Sequence, residues 1–148
     1  LESKRILLVE DNPRDIELTK RALQKSNIAN VLTVAEDGAE ALKYFFGEDG
    51  KGGCSPEDLP VVVLLDLKLP KVDGLEVLRS LRANGKTKLI PVVVLTSSNE
   101  EKDMIASYDL GANSYVRKPV RFSEFADAIR ELGLYWLILN QPAPNGPR

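Results

Sequence analysis

"VVVLLDLKLPKVDG", residues 61–74, sets five apolar residues in a row and follows them at once with an acid, Asp66. A run that does not alternate belongs to a strand buried on both faces, as in a parallel sheet covered by helices. The pattern recurs. "ILLVED" (6–11) ends in Glu10 and Asp11, and "PVVVLTSS" (91–98) ends in Thr96, Ser97 and Ser98. A shorter run, Tyr115–Val116, precedes Lys118, and the more mixed "VLTVA" (31–35) fits a strand nearer an edge.

Between the runs lie helical patterns with readable starts. Asn12 and Pro13 predict an N-cap and a first-turn proline for a helix to about Lys25 that buries Ile16, Ala22 and Leu23. Asp37 is placed to cap "GAEALKYFF", Asp73 to cap "GLEVLRSLRA", and Asn99 to cap "EEKDMIASYDLG", which Gly111 stops. A last helix opens at Arg121 or Ser123 and runs through Phe125, Ile129 and Leu132. Strand and helix alternate five times with short connections. That order predicts an α/β fold, a three-layer αβα sandwich around a five-stranded parallel sheet. The glycine-rich "GEDGKGGCSPEDLP" (47–60) has no periodicity and reads as a mobile surface loop. Residues 1–137 are expected to form the domain, and 138–148 an extended C-terminal tail with no output domain behind it.

Composition narrows the chemistry. A chain of 148 residues with 43% hydrophobic and 28% charged residues has the make-up of one soluble domain. Its net charge of −2 gives no basic footprint for nucleic acid. The absence of histidine excludes every mechanism that needs an imidazole base or ligand from this chain, and the single Cys54 excludes an intrachain disulfide or a thiolate zinc cluster. No leader-like segment and no apolar stretch near the ~18 residues of a membrane span is visible. No membrane role and a cytoplasmic location are therefore expected.

In an open parallel sheet the strand ends share one edge, and ligands bind there. If the first strand sits beside the third, Glu10 and Asp11 meet Asp66. Three carboxylates in one small pocket repel one another, and a hard cation such as Mg²⁺ resolves the repulsion. Thr96 and Lys118 would add a hydroxyl and an ammonium on the same edge. Such a set suits a phosphoryl group on Asp66, with the carboxylate as nucleophile and Lys118 and metal neutralising phosphate charge.

In family order and spacing, "LLVEDNP", "LLDLKLPKVDGLEVL", "VVVLTSS" and "SYVRKPV" resemble the receiver domain of bacterial two-component response regulators, over about Arg5 to Leu132. The resemblance implies a flavodoxin-like strand order, 2-1-3-4-5. It also implies that Asp66 is the phosphoacceptor. Asp11 and Asp66 would ligate Mg²⁺ directly with the Lys68 backbone carbonyl, while Glu10 would act through water. Thr96 and Tyr115 would form the switch pair, Lys118 would be the family's lysine, and the bond before Pro119 would be cis. The partner implied is a sensor histidine kinase. The signal would be carried by a changed surface of the fourth helix, fifth strand and fifth helix. The glycine-rich loop, "KPVRFSEF" and "LGLYWLIL" further resemble single-domain regulators paired with phytochrome kinases. Lys68 departs from the neutral residue many receivers carry there.

"LGLYWLIL" (132–139) is apolar all round, so one helix face cannot hide it all against the sheet. Leu134, Tyr135, Trp136 and Leu137 are therefore expected at an interface, with a homodimer as the simplest arrangement. Two other readings stand beside the receiver. A phosphatase or phosphotransferase with an aspartyl-phosphate intermediate would want an acid two residues past the nucleophile, where Lys68 stands. A phosphorylation-independent binding module would be expected to have lost an acid, the hydroxyl or the lysine. The receiver would catalyse its own phosphorylation and hydrolysis without turning over a separate substrate.

Overall fold

The computed structural model describes residues 4–25, 30–118, 121–141 and 143. Pro119 lies outside them, and with it the expected cis bond. Five strands, β1 (Lys4–Val9), β2 (Asn30–Ala35), β3 (Val62–Leu65), β4 (Val92–Thr96) and β5 (Ser114–Arg117), alternate with five helices. The helices are α1 (Pro13–Gln24), α2 (Gly38–Phe46), α3 (Gly74–Ala83), α4 (Glu101–Asp109) and α5 (Phe122–Leu134). Every pairing is parallel and the order is β2-β1-β3-β4-β5. The mixed strand is indeed at an edge.

The uninterrupted apolar runs are explained by two cores, one on each face of the sheet. Leu7, Val9, Val63, Leu65, Val92 and Val94 face Phe45 of α2 and Val77, Leu78 and Leu81 of α3. Their chain neighbours Ile6, Leu8, Val62, Leu64, Val93 and Leu95 face Ile16 and Leu23 of α1 and Phe125 and Ile129 of α5. Burying each such side chain contributes roughly 1.5–3 kcal/mol, so both faces of the central strands must be apolar.

Three expected caps form. Asn12 Oδ1 accepts from the backbone N–H of Arg14 at 2.9 Å, Asp37 from Glu40 at 2.7 Å and Asp73 from Glu76 at 3.0 Å. The fourth does not. Helix α4 starts one residue after the predicted Asn99, at an N-cap Glu100 that makes no side-chain cap bond. Ser98 Oγ takes that duty by accepting from the Glu100 N–H at 3.3 Å.

Two segments differ from their sequence-based reading. The 47–60 loop is tied down. Glu48 and Lys51 form a bridge, the Cys54 N–H bonds the Tyr44 carbonyl at 2.8 Å, and Lys86 Nζ donates to the Gly52 carbonyl at 3.5 Å. At the C-terminus, α5 passes directly into a π-helical turn, Tyr135–Leu139, so Ile138 and Leu139 are helical rather than extended. That turn turns Trp136 and Leu137 inward, where they complete the α1/α5 core, and leaves Leu134, Tyr135, Ile138 and Leu139 about half exposed. Of the four residues expected at an interface, Trp136 and Leu137 are instead core. A wider helical turn changes the angular phase, and this lets an all-round apolar stretch divide between two sides.

Candidate functional site

The strand register brings the acids together. Val9 pairs with Leu65, and the Asp66 N–H donates to the Val9 carbonyl at 3.0 Å, so Glu10 and Asp66 leave adjacent strands side by side. On the other flank Thr96 pairs with Arg117, and the Lys118 N–H donates to the Thr96 carbonyl at 2.7 Å. Carboxylate oxygens of Glu10, Asp11 and Asp66 all lie within 4.8 Å of one another.

Asp66 is nearly buried and rigidly held. Its Oδ1 accepts from the Leu67 N–H at 2.7 Å and the Lys68 N–H at 3.4 Å. The loop that presents it is closed by glycine. A Cβ at Gly74 would stand 2.2 Å from the Asp66 carbonyl oxygen, and the Gly74 N–H bonds the Leu67 carbonyl at 2.9 Å. Only a residue without a side chain allows α3 to begin so close to the acid.

Lys118 supplies the counter-charge. Its Nζ donates to Glu10 Oε1 in a short bond, to Asp15 Oδ2 at 2.8 Å and to Asp66 Oδ2 at 3.3 Å. Burial works against the charged lysine, but the bonds to Asp15 and Glu10 and the Asp66 charge outweigh it and hold its pKa above the ordinary value. Burial of Glu10, with Asp66 adding repulsion, lifts that carboxyl to about 7 despite the pull of Lys118. Four carboxyl groups, Glu10, Asp11, Asp15 and Asp66, thus gather around the one ammonium of Lys118.

A small hard cation fits this donor set. Three carboxylates converge, and Asp11 is exposed beside an open cavity of about 490 Å³ that Lys68, Asp73 and Asp103 also line. Oxygen donors at such an opening match a metal that retains water. The Lys68 ammonium stands 3.8 Å from the Asp103 carboxylate.

Thr96 is fully buried, and its Oγ1 accepts from the Ser98 N–H at 3.3 Å. Tyr115 packs partly into the α2/α3 core and donates its hydroxyl to the Ser98 carbonyl at 2.9 Å. The predicted switch pair thus meets at Ser98.

Two acids escaped the sequence reading. Asp15 lies in the first turn of α1, where acids are common. Asp103, in the first turn of α4, is 8% exposed, and nothing in its sequence context marks a buried acid.

The response regulator receiver domain family matches residues 6–130. Response regulator Rcp1 of Synechocystis sp. is 41% identical over 134 residues, 90% of this chain and 89% of that protein. The Mn(2+)-bound form of Rcp1 superposes with a TM-score of 0.84, 35% identity in that superposition, and 95% and 99% of the two chains covered. The phosphorylated cyanobacterial phytochrome response regulator RcpA gives a TM-score of 0.88 at 37% identity, covering 97% of this chain and all of that one. The bacteriophytochrome response regulator RtBRR is 50% identical, with a TM-score of 0.71 over 98% of this chain and 87% of its own.

Proposed function

Because the chain belongs to the response regulator receiver family of two-component signalling, we propose that it accepts a phosphoryl group on Asp66 from a sensor histidine kinase, in a Mg²⁺-dependent reaction. The likeness to RcpA and RtBRR favours a kinase of the phytochrome type. The observation that carries the reading is the convergence of Glu10, Asp11 and Asp66 beside the Lys118 ammonium.

An Asp66 carboxylate oxygen attacks phosphorus as the bond to the donor breaks. That donor is a kinase imidazole nitrogen, or the acetate oxygen of acetyl phosphate. The leaving group keeps the bonding pair, and Asp66 becomes an acyl phosphate. Asp11 and Asp66, with the Lys68 carbonyl, would hold Mg²⁺, and Glu10 would act through water. When bound, the metal supplies charge neutralisation for the phosphoryl oxygens. Lys118 neutralises a further oxygen, and Thr96 donates its hydroxyl to another.

To do so, Thr96 gives up its bond from the Ser98 N–H and turns toward Asp66. Tyr115, tied to the same Ser98, moves with that loop and alters the surface of α4, β5 and α5. The exposed apolar side of the C-terminal turn, Leu134, Tyr135, Ile138 and Leu139, is the proposed face of a homodimer.

Intact-protein mass spectrometry after incubation with acetyl phosphate tests the reading. One phosphoryl adduct that requires Mg²⁺ and disappears in Asp66→Asn is expected. A wild-type protein unmodified by acetyl phosphate and by a phosphorylated histidine kinase would reject it.

A further inference from the structure

An ammonium has three hydrogen atoms to donate, and all three of those on Lys118 go to carboxylates. The bond to Asp66, at 3.3 Å, is the longest of the three, whereas Asp15 holds the nitrogen at 2.8 Å. The Lys118 and Asp15 side chains are only 9% and 18% exposed, so solvent screens their attraction weakly.

Asp15 is itself anchored. Its N–H donates to Asn12 Oδ1 at 3.3 Å, and its carbonyl accepts from the buried Thr19 hydroxyl at 2.7 Å. The next residue, Ile16, is locked in the α1/α5 core. Asp15 therefore holds Lys118 from a fixed point on α1.

We propose that Asp15 is a positioning residue that restrains the Lys118 ammonium toward α1, away from Asp66, and so slows phosphorylation of the acceptor. This rests on the assignment of Asp66 as phosphoacceptor. With the Asp15 charge removed, Lys118 keeps Glu10 and Asp66 as its partners and loses its pull toward α1. An incoming dianionic donor also meets one negative charge fewer.

The first readout needs no phosphodonor. In the metal-free protein, the Lys118 ammonium signal in lysine-labelled ¹⁵N NMR exchanges its protons with water faster in Asp15→Asn than in wild type. Unchanged exchange overturns the inference whether or not Asp66 is ever phosphorylated.

The second readout is the acetyl phosphate labelling rate at saturating Mg²⁺. Asp15→Asn labels about three to ten times faster, the size expected for one partly buried ion pair, and Asp15→Glu returns toward wild type. In a Lys118→Met background, Asp15→Asn loses most of that acceleration. An equal acceleration there, or none in the parent, overturns the inference. Wild type that takes no phosphoryl group from either donor removes the phosphoacceptor assignment and the restraint's role with it, although the NMR result still reports the restraint.

Discussion

Ser98 donates its hydroxyl hydrogen to Asp103 across 2.6 Å, joining the β4–α4 loop to a buried carboxylate on α4. Removing the acid leaves that hydroxyl without its acceptor and the Lys68 ammonium without a partner. Asp103→Ala is expected to lower unfolding stability by about 1–3 kcal/mol, and Ser98→Ala by less. Urea titrations of the two variants check the order. No loss in Ser98→Ala beside a full loss in Asp103→Ala would mean that the buried carboxylate is held by something other than Ser98.

The approach of α3 to the Asp66 loop gives a second expectation. A methyl group at Gly74 would meet backbone atoms of Asp66 and Leu67 at 2.2 and 2.6 Å, and backbone cannot step aside as a long side chain can. Gly74→Ala should cost about 1–3 kcal/mol or more and slow acetyl phosphate labelling. A denaturant midpoint measured with a labelling rate checks both. Unchanged values in both would show that the loop can shift freely.

The C-terminal turn separates core from surface within three residues. Leu137 is fully buried, so Leu137→Ala should destabilise the protein by about 2–5 kcal/mol. Leu139 is 58% exposed, so Leu139→Lys should leave stability within about 0.5 kcal/mol but weaken the proposed dimer. Thermal unfolding with sedimentation velocity distinguishes the two effects. A Leu139→Lys protein that keeps its dimer would move the interface elsewhere.

Tyr44 offers a pH-dependent signature away from the acidic pocket. Desolvation is the main cause that lifts its phenol to about 12, and its hydroxyl donates to the Asp58 carbonyl at 2.5 Å. Because the folded value lies above the ordinary 10, Tyr44 favours the folded state more as pH falls, not as it rises. Its contribution is complete below about pH 10 and is lost as pH climbs toward 12. Ultraviolet titration should show a late-ionising tyrosine that is absent in Tyr44→Phe.

The frame of the site was readable because its logic is local. Buried parallel strands need continuous apolar runs, and the residue that ends each run lands on the shared edge. Glu10, Asp66, Thr96 and Lys118 could therefore be named from four separate stretches. Asp15 and Asp103 could not, since a first-turn acid on a helix is common whether it faces water or a cation. The inward turn of Trp136 and Leu137 was hidden for another reason. Apolar residues on all sides carry no phase, and the phase here is set by a π-helical turn.

Lys118 comes to the pocket from β5, the strand at the sheet's outer edge and the last of the five in the chain. A partly folded molecule with β1 and β3 paired, but β5 not yet docked, would hold Glu10, Asp11 and Asp66 together with no ammonium among them. Such an intermediate carries the charge penalty of the site without its relief. Closure of the edge strand is thus coupled to completion of the pocket, and nascent or truncated chains ending before Lys118 should be both less stable and chemically silent.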